Sequence, residues 1–262
     1  MKTVEMTYAG RTVPLPDLPE YQKFYRKLAA GTWEPGTFEV LARNLDSDTV
    51  YVDIGAWIGV TPFWASSAAK RVIAFEPDPK CFAILRELGP AYANLSVTQA
   101  ALSSQPKVTL HAVGGFGSSE TSILDIGDGE SLDVPGIGMD AIMQQAGTSQ
   151  SFVKIDIEGY EFALRGEIAK LRNYNLRGLQ LAVHPQLLNQ SLGGIKIWRR
   201  LRVAWQVWRL AKILKGLFPP PRLAKYDGVA DYIVWGILLR AEPKGADFVF
   251  EGKHAGSRGE TA

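Results

Sequence analysis

The 262-residue sequence contains one cysteine, Cys81, and three histidines. A single cysteine cannot close an intramolecular disulfide, which excludes a disulfide-stapled fold. No uninterrupted apolar run reaches the roughly 18 residues that a membrane-spanning helix needs. The first residues, Met1 to Glu5, lack the apolar segment of a secretory signal, so we expect a cytoplasmic protein. Hydrophobic residues make up 46%, which is enough for a globular core and excludes a disordered chain.

Acidic residues are missing from one long stretch. Residues 168–226 hold 12 Lys or Arg and no Asp or Glu, whereas residues 1–167 hold 13 basic and 21 acidic residues. The remaining residues, 227–262, hold 4 basic and 6 acidic residues. The net charge of +2 therefore conceals an acidic body and a basic block. Such asymmetry indicates a partner surface rather than a type of fold.

Short apolar runs alternate with segments of helical length, a pattern typical of α/β proteins with a mostly parallel sheet and helices on both faces. We predict seven strands, at 49–55, 72–76, 95–100, 152–156, 179–183, 232–239 and 248–250. Residues 106–134 predict a hairpin-like excursion or a loop that lines the active site. A surface loop without a role is the alternative.

The sequence pattern divides the chain into three parts. Residues 1–45 predict a helical lead, because Tyr21, Phe24 and Leu28 recur at helical spacing. Residues 46–240 form the main domain, with a basic helical insertion at 186–228. Residues 241–262 contain the last strand and a flexible tail.

Two strand ends carry the residues expected to bind a cofactor. The first strand ends in Asp53 and a turn containing Gly55 and Gly59, which lets a ligand approach the backbone closely. Glu76 ends the second strand, where a carboxylate can accept both hydrogen bonds from a ribose diol. A dinucleotide requires Gly-x-Gly-x-x-Gly, and Asp53 would repel its pyrophosphate. The pattern therefore favours S-adenosylmethionine, which is cationic.

Three blocks of sequence resemble the signature segments of FkbM-family methyltransferases. They read VYVDIGAWIGVT at 50–61, VIAFEPDP at 72–79 and VKIDIEGYE at 153–161. The resemblance covers roughly residues 48–185 and is specific because the blocks occur in order and at suitable spacing.

The resemblance implies a Rossmann-like class I methyltransferase fold with S-adenosylmethionine as methyl donor. It also implies O-methylation of a hydroxyl on a sugar, a glycan or glycolipid, or another natural product. The positions that it assigns to cofactor binding are Asp53, Gly55, Ala56, Trp57, Gly59, Glu76, Pro77, Ala101 and Asp156. Family members usually have Asn where this chain has Trp57, so the packing around the cofactor is expected to differ.

Candidate catalytic residues follow the fourth and fifth strands. Lys154, Asp156 and Glu158 alternate, so we expect them on one side, where buried carboxylates need partners or a cleft. His184 closes the fifth strand and is a candidate general base. The alternatives are a Lys–carboxylate network that caps a following helix, a structural histidine, and a divalent cation held by Asp156, His184 and another carboxylate. Glu161 is expected to be a first-turn helix acid. No recognisable metal motif is present.

The basic block contains a segment, 195–217, with two apolar stripes at helical spacing. One stripe is Trp198, Leu201, Trp205 and Trp208, and the other is Val203, Val207, Leu210 and Leu214. Tryptophans beside Arg and Lys suit peripheral contact with the inner face of a membrane. The helix could equally bind an anionic or lipid-linked acceptor, or pack on the protein's own core. No nucleic-acid motif accompanies the charge.

We therefore expect an S-adenosylmethionine-dependent O-methyltransferase that is cytoplasmic, with peripheral membrane contact as a further expectation. The acceptor hydroxyl would attack the methyl group in line, and His184 or Asp156 would take its proton. The main alternative is a non-catalytic protein that binds a membrane surface or an anionic ligand on a Rossmann-like shell. An NAD-dependent oxidoreductase is disfavoured by Asp53 and the missing Gly-x-Gly.

Overall fold

The structure is a computed structural model that describes residues 2–8, 10–112, 115–117, 123 and 129–252. Residues 253–262, which fall within the predicted last segment of strand and flexible tail, lie outside the described residues. The strands are β1 (Thr3–Tyr8), β2 (Arg11–Pro16), β3 (Val50–Ile54), β4 (Arg71–Phe75), β5 (Leu95–Thr98), β6 (Ala101–Leu102), β7 (Lys107–Ala112), β8 (Glu130–Ile137), β9 (Ser151–Ile155), β10 (Leu176–Val183) and β11 (Ala246–Glu251). The α-helices are α1 (Gln22–Ala29), α2 (Pro35–Asn44), α3 (Val60–Ser66), α4 (Pro79–Leu88), α5 (Met139–Ala146), α6 (Arg165–Ala169), α7 (Pro185–Ser191), α8 (Lys196–Ala211) and α9 (Val229–Asp231).

The central sheet has six strands in the order β11-β10-β9-β3-β4-β5. Only the pairing of β10 with β11 is antiparallel. Val50, Val52 and Ile54 of β3 face the apolar layer that contains α5 and α8, whereas Tyr51 faces the layer of α2, α3 and α4. A strand alternates its side chains between two faces, so a sheet covered on both sides needs apolar residues at every position. This is the α/β, Rossmann-like class I arrangement expected from the sequence.

The prediction of a strand at 232–239 was wrong, and the central sheet has six strands rather than the predicted seven. Residues Tyr232–Leu238 form a π-helix that continues α9. Tyr232, Gly236 and Ile237 are buried, and a side chain on Gly236 would overlap the Tyr232 ring. A continuous apolar run of this length is compatible with a strand or a buried helix, so its periodicity could not decide.

The N-terminal lead is only partly helical. It begins with the antiparallel hairpin of β1 and β2, which the expectation of a helical lead over 1–45 did not include. The helices α1 and α2 follow, and Leu28 and Phe38 pack into the same apolar layer as α3. The lead therefore belongs to the body of the domain.

The excursion at 106–134 contains a hairpin, as predicted. Strands β7 and β8 pair antiparallel from Lys107 with Pro135 to Ala112 with Glu130. Between them only residues 115–117, 123 and 129 are described. After β9, two 3-10 turns, Tyr160–Phe162 and Lys170–Asn173, lie on either side of the short α6.

The two stripes of the basic block lie on opposite sides of α8 and its continuation. Val203, Val207, Leu210 and Leu214 belong to the main apolar core. Trp198, Leu201, Trp205 and Trp208 are exposed, at 61, 44, 55 and 41%. The block is therefore both core and surface. Within the described residues, no helix combines the length and the apolar character needed to cross a bilayer.

Candidate active site

The turn after β3 brings the backbone of two strand ends together. Gly55 has φ +89°, and a side chain there would overlap the carbonyl of Asp156 at the end of β9. Gly59 has φ +94° at the start of α3, where a side chain would overlap the Phe63 ring. Only glycine combines these backbone angles with this closeness. The two glycines therefore shape the turn, Gly55 by its closeness to the backbone of Asp156 and Gly59 by its closeness to the ring of Phe63.

A cavity of about 920 Å³ opens at the carboxyl ends of β3, β4 and β9. This is where open parallel sheets bind ligands. The predicted site residues that line it are Gly55, Ala56, Trp57, Glu76, Pro77, Ala101, Asp156 and Glu158. Three residues other than glycine have positive φ in the described part of the chain, Glu34, Trp57 and Glu158, and all three line this cavity. Backbone strain of this kind clusters at functional sites.

Glu76 offers a buried carboxylate to the cavity. Its Oε2 accepts a hydrogen bond of 2.7 Å from the backbone N–H of Trp57, and its Oε1 accepts one of 2.8 Å from that of Asp78. Burial raises the pKa of Glu76 to about 8, although both backbone donors oppose the shift. The carboxyl group is thus fixed in orientation at the end of β4, as a ribose-binding group must be.

Asp53 is fully buried beneath the cavity and does not line it. It lies on the same face of β3 as Tyr51, so its carboxylate points toward α3. Its Oδ2 accepts hydrogen bonds from the hydroxyls of Tyr51 and Thr61, and Lys154 Nζ lies 4.0 Å from its Oδ1. Burial raises the pKa of Asp53. Thr61 and Lys154, which contact Asp53, do line the cavity. Asp53 therefore positions these two side chains.

Asp156 and Lys154 form a buried ion pair at the end of β9. Lys154 Nζ lies 3.0 Å from Asp156 Oδ2. Burial alone would raise the pKa of Asp156, but the charges of Lys154 and His184 hold it below its usual value. The predicted Lys–carboxylate network is therefore present, and one of its carboxylates lies in the cavity wall.

His184 lies beside three carboxylates but not in the cavity wall. Its Nε2 is 3.6 Å from Asp156 Oδ1 and 3.6 Å from Glu158 Oε2, and its Nδ1 is 3.6 Å from Glu161 Oε1. Burial by itself would lower the pKa of His184, but Glu161, Glu158 and Asp156 together raise it to about 10. Glu161 lies in the first turn of the 3-10 helix Tyr160–Phe162, as expected, but it is fully buried and accepts a hydrogen bond from the backbone N–H of His184.

The same residues could hold a metal ion. Ligand atoms of Asp156, Glu158 and His184 all lie within 4.8 Å of one another. Carboxylate and imidazole groups are suitable ligands for divalent metals. The sequence left open a cation held by Asp156, His184 and one more carboxylate, and Glu158 is placed to be that carboxylate.

Sequence reasoning missed an aromatic wall contributed by the N-terminal lead. Tyr21, Phe24 and Trp33 line the cavity together with Trp57. The Trp57 ring centroid lies 5.6 Å from that of Tyr21 and 4.8 Å from that of Phe24, with nearly perpendicular rings. The helical spacing of Tyr21 and Phe24 was visible in the sequence, but nothing in it showed that the lead folds back onto the strand ends.

Gly117, in the excursion, forms hydrogen bonds with two residues of this aromatic wall and with Asp78. Its N–H donates to Asp78 Oδ2 at 2.7 Å, and its carbonyl accepts from the Tyr21 hydroxyl at 3.0 Å and from Trp57 Nε1 at 3.4 Å. Gly117 and Phe116 line the cavity. This part of the excursion therefore lines the candidate active site, as one of the two interpretations predicted.

The fold and this cavity define a class I methyltransferase whose methyl donor is S-adenosylmethionine. The model of the methyltransferase FkbM domain matches residues 53–191, and the chain belongs to that family. No curated protein sequence matches it.

Solved structures with a similar layout are remote in sequence. SMU.1697c from Streptococcus mutans, in complex with SAH, is 13% identical, with 82% of this chain and 94% of that chain covered and a TM-score of 0.45. An rRNA methylase from Streptococcus thermophilus is 12% identical, with 82% and 93% covered and a TM-score of 0.43. The fibrillarin pre-rRNA processing protein of Methanococcus jannaschii is 11% identical, with 95% and 87% covered and a TM-score of 0.43. The family match, rather than these likenesses, identifies the chain.

Proposed function

We propose that this methyltransferase transfers the methyl group to a hydroxyl of a sugar, a glycan or glycolipid, or a related natural product. The observation that carries the proposal is the carboxylate of Asp156 in the cavity wall, held by Lys154 at 3.0 Å and close to Glu158. A hydroxyl nucleophile donates a hydrogen bond as it attacks, and carboxylates accept it.

The cavity residues fit the cofactor. Glu76 and the glycine turn would hold the ribose side, because a fixed carboxylate accepts from a diol and Gly55 leaves the backbone uncovered. Pro77 and Ala101 supply apolar surface, and Trp57 adds an aromatic face where family members usually have Asn. The bound cofactor supplies a methyl group on a sulfonium, which reacts with a nucleophile in line.

We assign proton acceptance to Asp156, with Glu158 as the second carboxylate on the acceptor side. Both line the cavity, whereas His184 lies behind Asp156. Lys154 fixes the orientation of Asp156 from one side and His184 from the other. His184 is therefore proposed as a positioning residue, which chooses between the two candidates that the sequence left open.

The position of the basic block bears on the chemical class of the acceptor. Helix α8 packs against the 3-10 turn Tyr160–Phe162, which begins two residues after Glu158, so the basic block lies close to the acceptor side. An anionic or lipid-linked acceptor suits such a neighbour, at the cytoplasmic face of a membrane.

The test is a transfer assay with a deuterated methyl donor. The purified protein is incubated with S-adenosylmethionine labelled in the methyl group and a panel of hydroxylated glycans and lipid-linked sugars, and mass spectrometry locates the label. Label on oxygen supports the proposal. Label on nitrogen or carbon would contradict O-methylation and leave methyl transfer intact.

Parallel reactions with EDTA and with Mg²⁺ test the metal alternative. Because Lys154 and His184 already balance the carboxylates, we expect equal transfer in both. Loss in EDTA that Mg²⁺ restores would show that the Asp156, Glu158 and His184 cluster binds a metal.

A further inference from the structure

Exposed large hydrophobic residues are concentrated in one part of the described chain. Ten of eleven such residues lie between positions 195 and 239, although this segment is less than a fifth of the sequence. The ten are Ile195, Ile197, Trp198, Leu201, Trp205, Trp208, Leu217, Val234, Trp235 and Leu239. The eleventh, Leu132, lies on β8. Single exposed apolar residues need no explanation, but a concentration of this kind marks an interaction surface.

Helix α8 presents four of them, Trp198, Leu201, Trp205 and Trp208, as a stripe opposite its buried face. Trp205 and Trp208 stack with ring centroids 5.0 Å apart, and Lys212 Nζ lies 4.6 Å from the Trp208 ring. The exposed Arg202 and Arg209 flank the stripe, at helical positions next to the tryptophans. Indole rings beside long cationic side chains are the composition of a helix that lies in a membrane interface.

A second element adds to the helix. The π-helix exposes Trp235 at 60%, and Leu239, which directly follows it, is exposed at 64%. Helix α8 packs against the π-helix. The buried guanidinium of Arg200 joins the two, since it donates to the carbonyls of Ile237 and Ala241. Arg200 is therefore a structural cation, whereas Lys196, Arg202 and Arg209 of α8 are exposed and available to a partner.

We propose that α8 and the π-helix form a docking surface for an anionic lipid bilayer. Lys196, Arg202 and Arg209 of α8 are exposed, as are Lys212 and Lys215 just after it, so the surface complements a negatively charged membrane. Lysine is depleted at the cores of protein interfaces, whereas Lys196, Lys212 and Lys215 are all exposed here. A second copy of this chain carries the same positive charge on this surface, which opposes self-association through it. The proposal is independent of the acceptor and of the atom methylated.

The experiment is sedimentation of the full chain with vesicles of phosphatidylcholine, with and without phosphatidylglycerol. We expect binding to the anionic vesicles that weakens with salt, and about tenfold less binding to neutral vesicles. The triple variant Trp198→Ser, Trp205→Ser, Trp208→Ser should lose about tenfold in binding, as should Arg202→Gln with Arg209→Gln. The second variant should also show a smaller salt dependence.

Leu132→Ser is the matched control, because Leu132 and Trp208 are equally exposed, at 41%. It should bind vesicles like the unmodified chain, and every variant should bind S-adenosylhomocysteine unchanged, which shows that the fold persists. The proposal is overturned if the unmodified chain ignores anionic vesicles at low salt, or if the triple variant binds them equally well. It is also overturned if the chain forms a dimer that the triple variant abolishes.

Discussion

At the scale of single residues, the carboxyl group of Glu76 would connect protonation to cofactor binding in the proposed site. Its pKa is raised to about 8 by burial, so most of the group is neutral at pH 7. A ribose diol donates hydrogen bonds, and an ionised carboxylate accepts them more strongly than a neutral acid. Binding should therefore select the ionised form, and the cost of ionising Glu76 should fall as pH approaches 8.

We expect the affinity for S-adenosylhomocysteine to rise between pH 6 and pH 8 by up to about tenfold per pH unit. Calorimetric titration across this range measures the slope. Glu76→Gln cannot ionise, so it should bind weakly and without the slope, and Glu76→Ala should abolish binding. An unchanged affinity in Glu76→Ala would remove the residue from the cofactor site.

Asp156 and His184 should differ in their kinetic effects. Asp156→Asn removes the proposed proton acceptor, so kcat should fall by about 10²-fold or more while cofactor affinity is retained. His184→Gln keeps a hydrogen-bonding side chain at the positioning site and should lose less than His184→Ala. Steady-state kinetics with calorimetry separates these effects. If His184→Ala costs more in kcat than Asp156→Asn, His184 rather than Asp156 is the base.

Single residues were predictable where a motif fixes the chemistry at a strand end. Glu76, Trp57 and Asp156 all line the cavity because parallel strands deliver their carboxyl ends to one edge. Asp53 does not line the cavity. Its position along β3 determines the face of the sheet to which its side chain points, and the motif does not indicate which face borders the cavity. The pKa of His184 was unpredictable because its three carboxylates converge only in the folded chain.

At the scale of elements, helix α8 provides two leucines that differ mainly in burial. Leu210 is fully buried in the main core, whereas Leu201 is 44% exposed. Leu210→Ala should lower the free energy of unfolding by about 2–5 kcal/mol. Leu201→Ala should change it by less than about 0.5 kcal/mol. Urea unfolding of both variants measures the difference, and equal losses would contradict the assignment of the inner and outer stripes.

The aromatic wall is the contribution of the N-terminal lead to the site. Trp33 lies with its ring centroid 5.1 Å from that of Phe24 and 6.4 Å from that of Trp57, and all three line the cavity. Trp33→Ala should loosen this wall and weaken S-adenosylhomocysteine binding roughly tenfold, since such aromatic pairs contribute about 1 kcal/mol each. Trp235→Ala is the control, because Trp235 is exposed on the π-helix and should leave calorimetric affinity unchanged. An equal loss in both variants would indicate a general effect on folding.

Elements were predictable wherever a buried strand and its glycine turn occur together, as at β3 and β9. The exceptions have a shared cause. Residues 232–239 are rich in β-branched and aromatic side chains, which favour strands in isolation, yet Gly236 lets the Tyr232 ring pack in a helical arrangement. The β1–β2 hairpin likewise depends on packing against α3, a contact that local propensity does not encode.

At the scale of the whole molecule, the basic block cannot be separated from the fold. Deleting residues 195–217 would remove part of the core together with the exposed tryptophans. The structure places Val203, Val207, Leu210, Ile213 and Leu214 from this segment in the core that covers the sheet. The deletion would also remove Arg200, which fastens the π-helix.

We therefore expect the deletion of 195–217 to leave no cooperative unfolding transition and no S-adenosylhomocysteine binding, since it uncovers one face of the sheet. Near-ultraviolet circular dichroism with thermal unfolding is the measurement. The Trp198, Trp205 and Trp208 triple serine variant should keep both the transition and the cofactor affinity, because it changes only exposed side chains. A deleted chain that folds and binds the cofactor would mean that the segment is a dispensable insertion. In that case the acidic and basic residues that sum to a net charge of +2 would belong to separable parts of the chain. In the structure, the acidic cofactor-binding body and the basic outer surface instead share one apolar core.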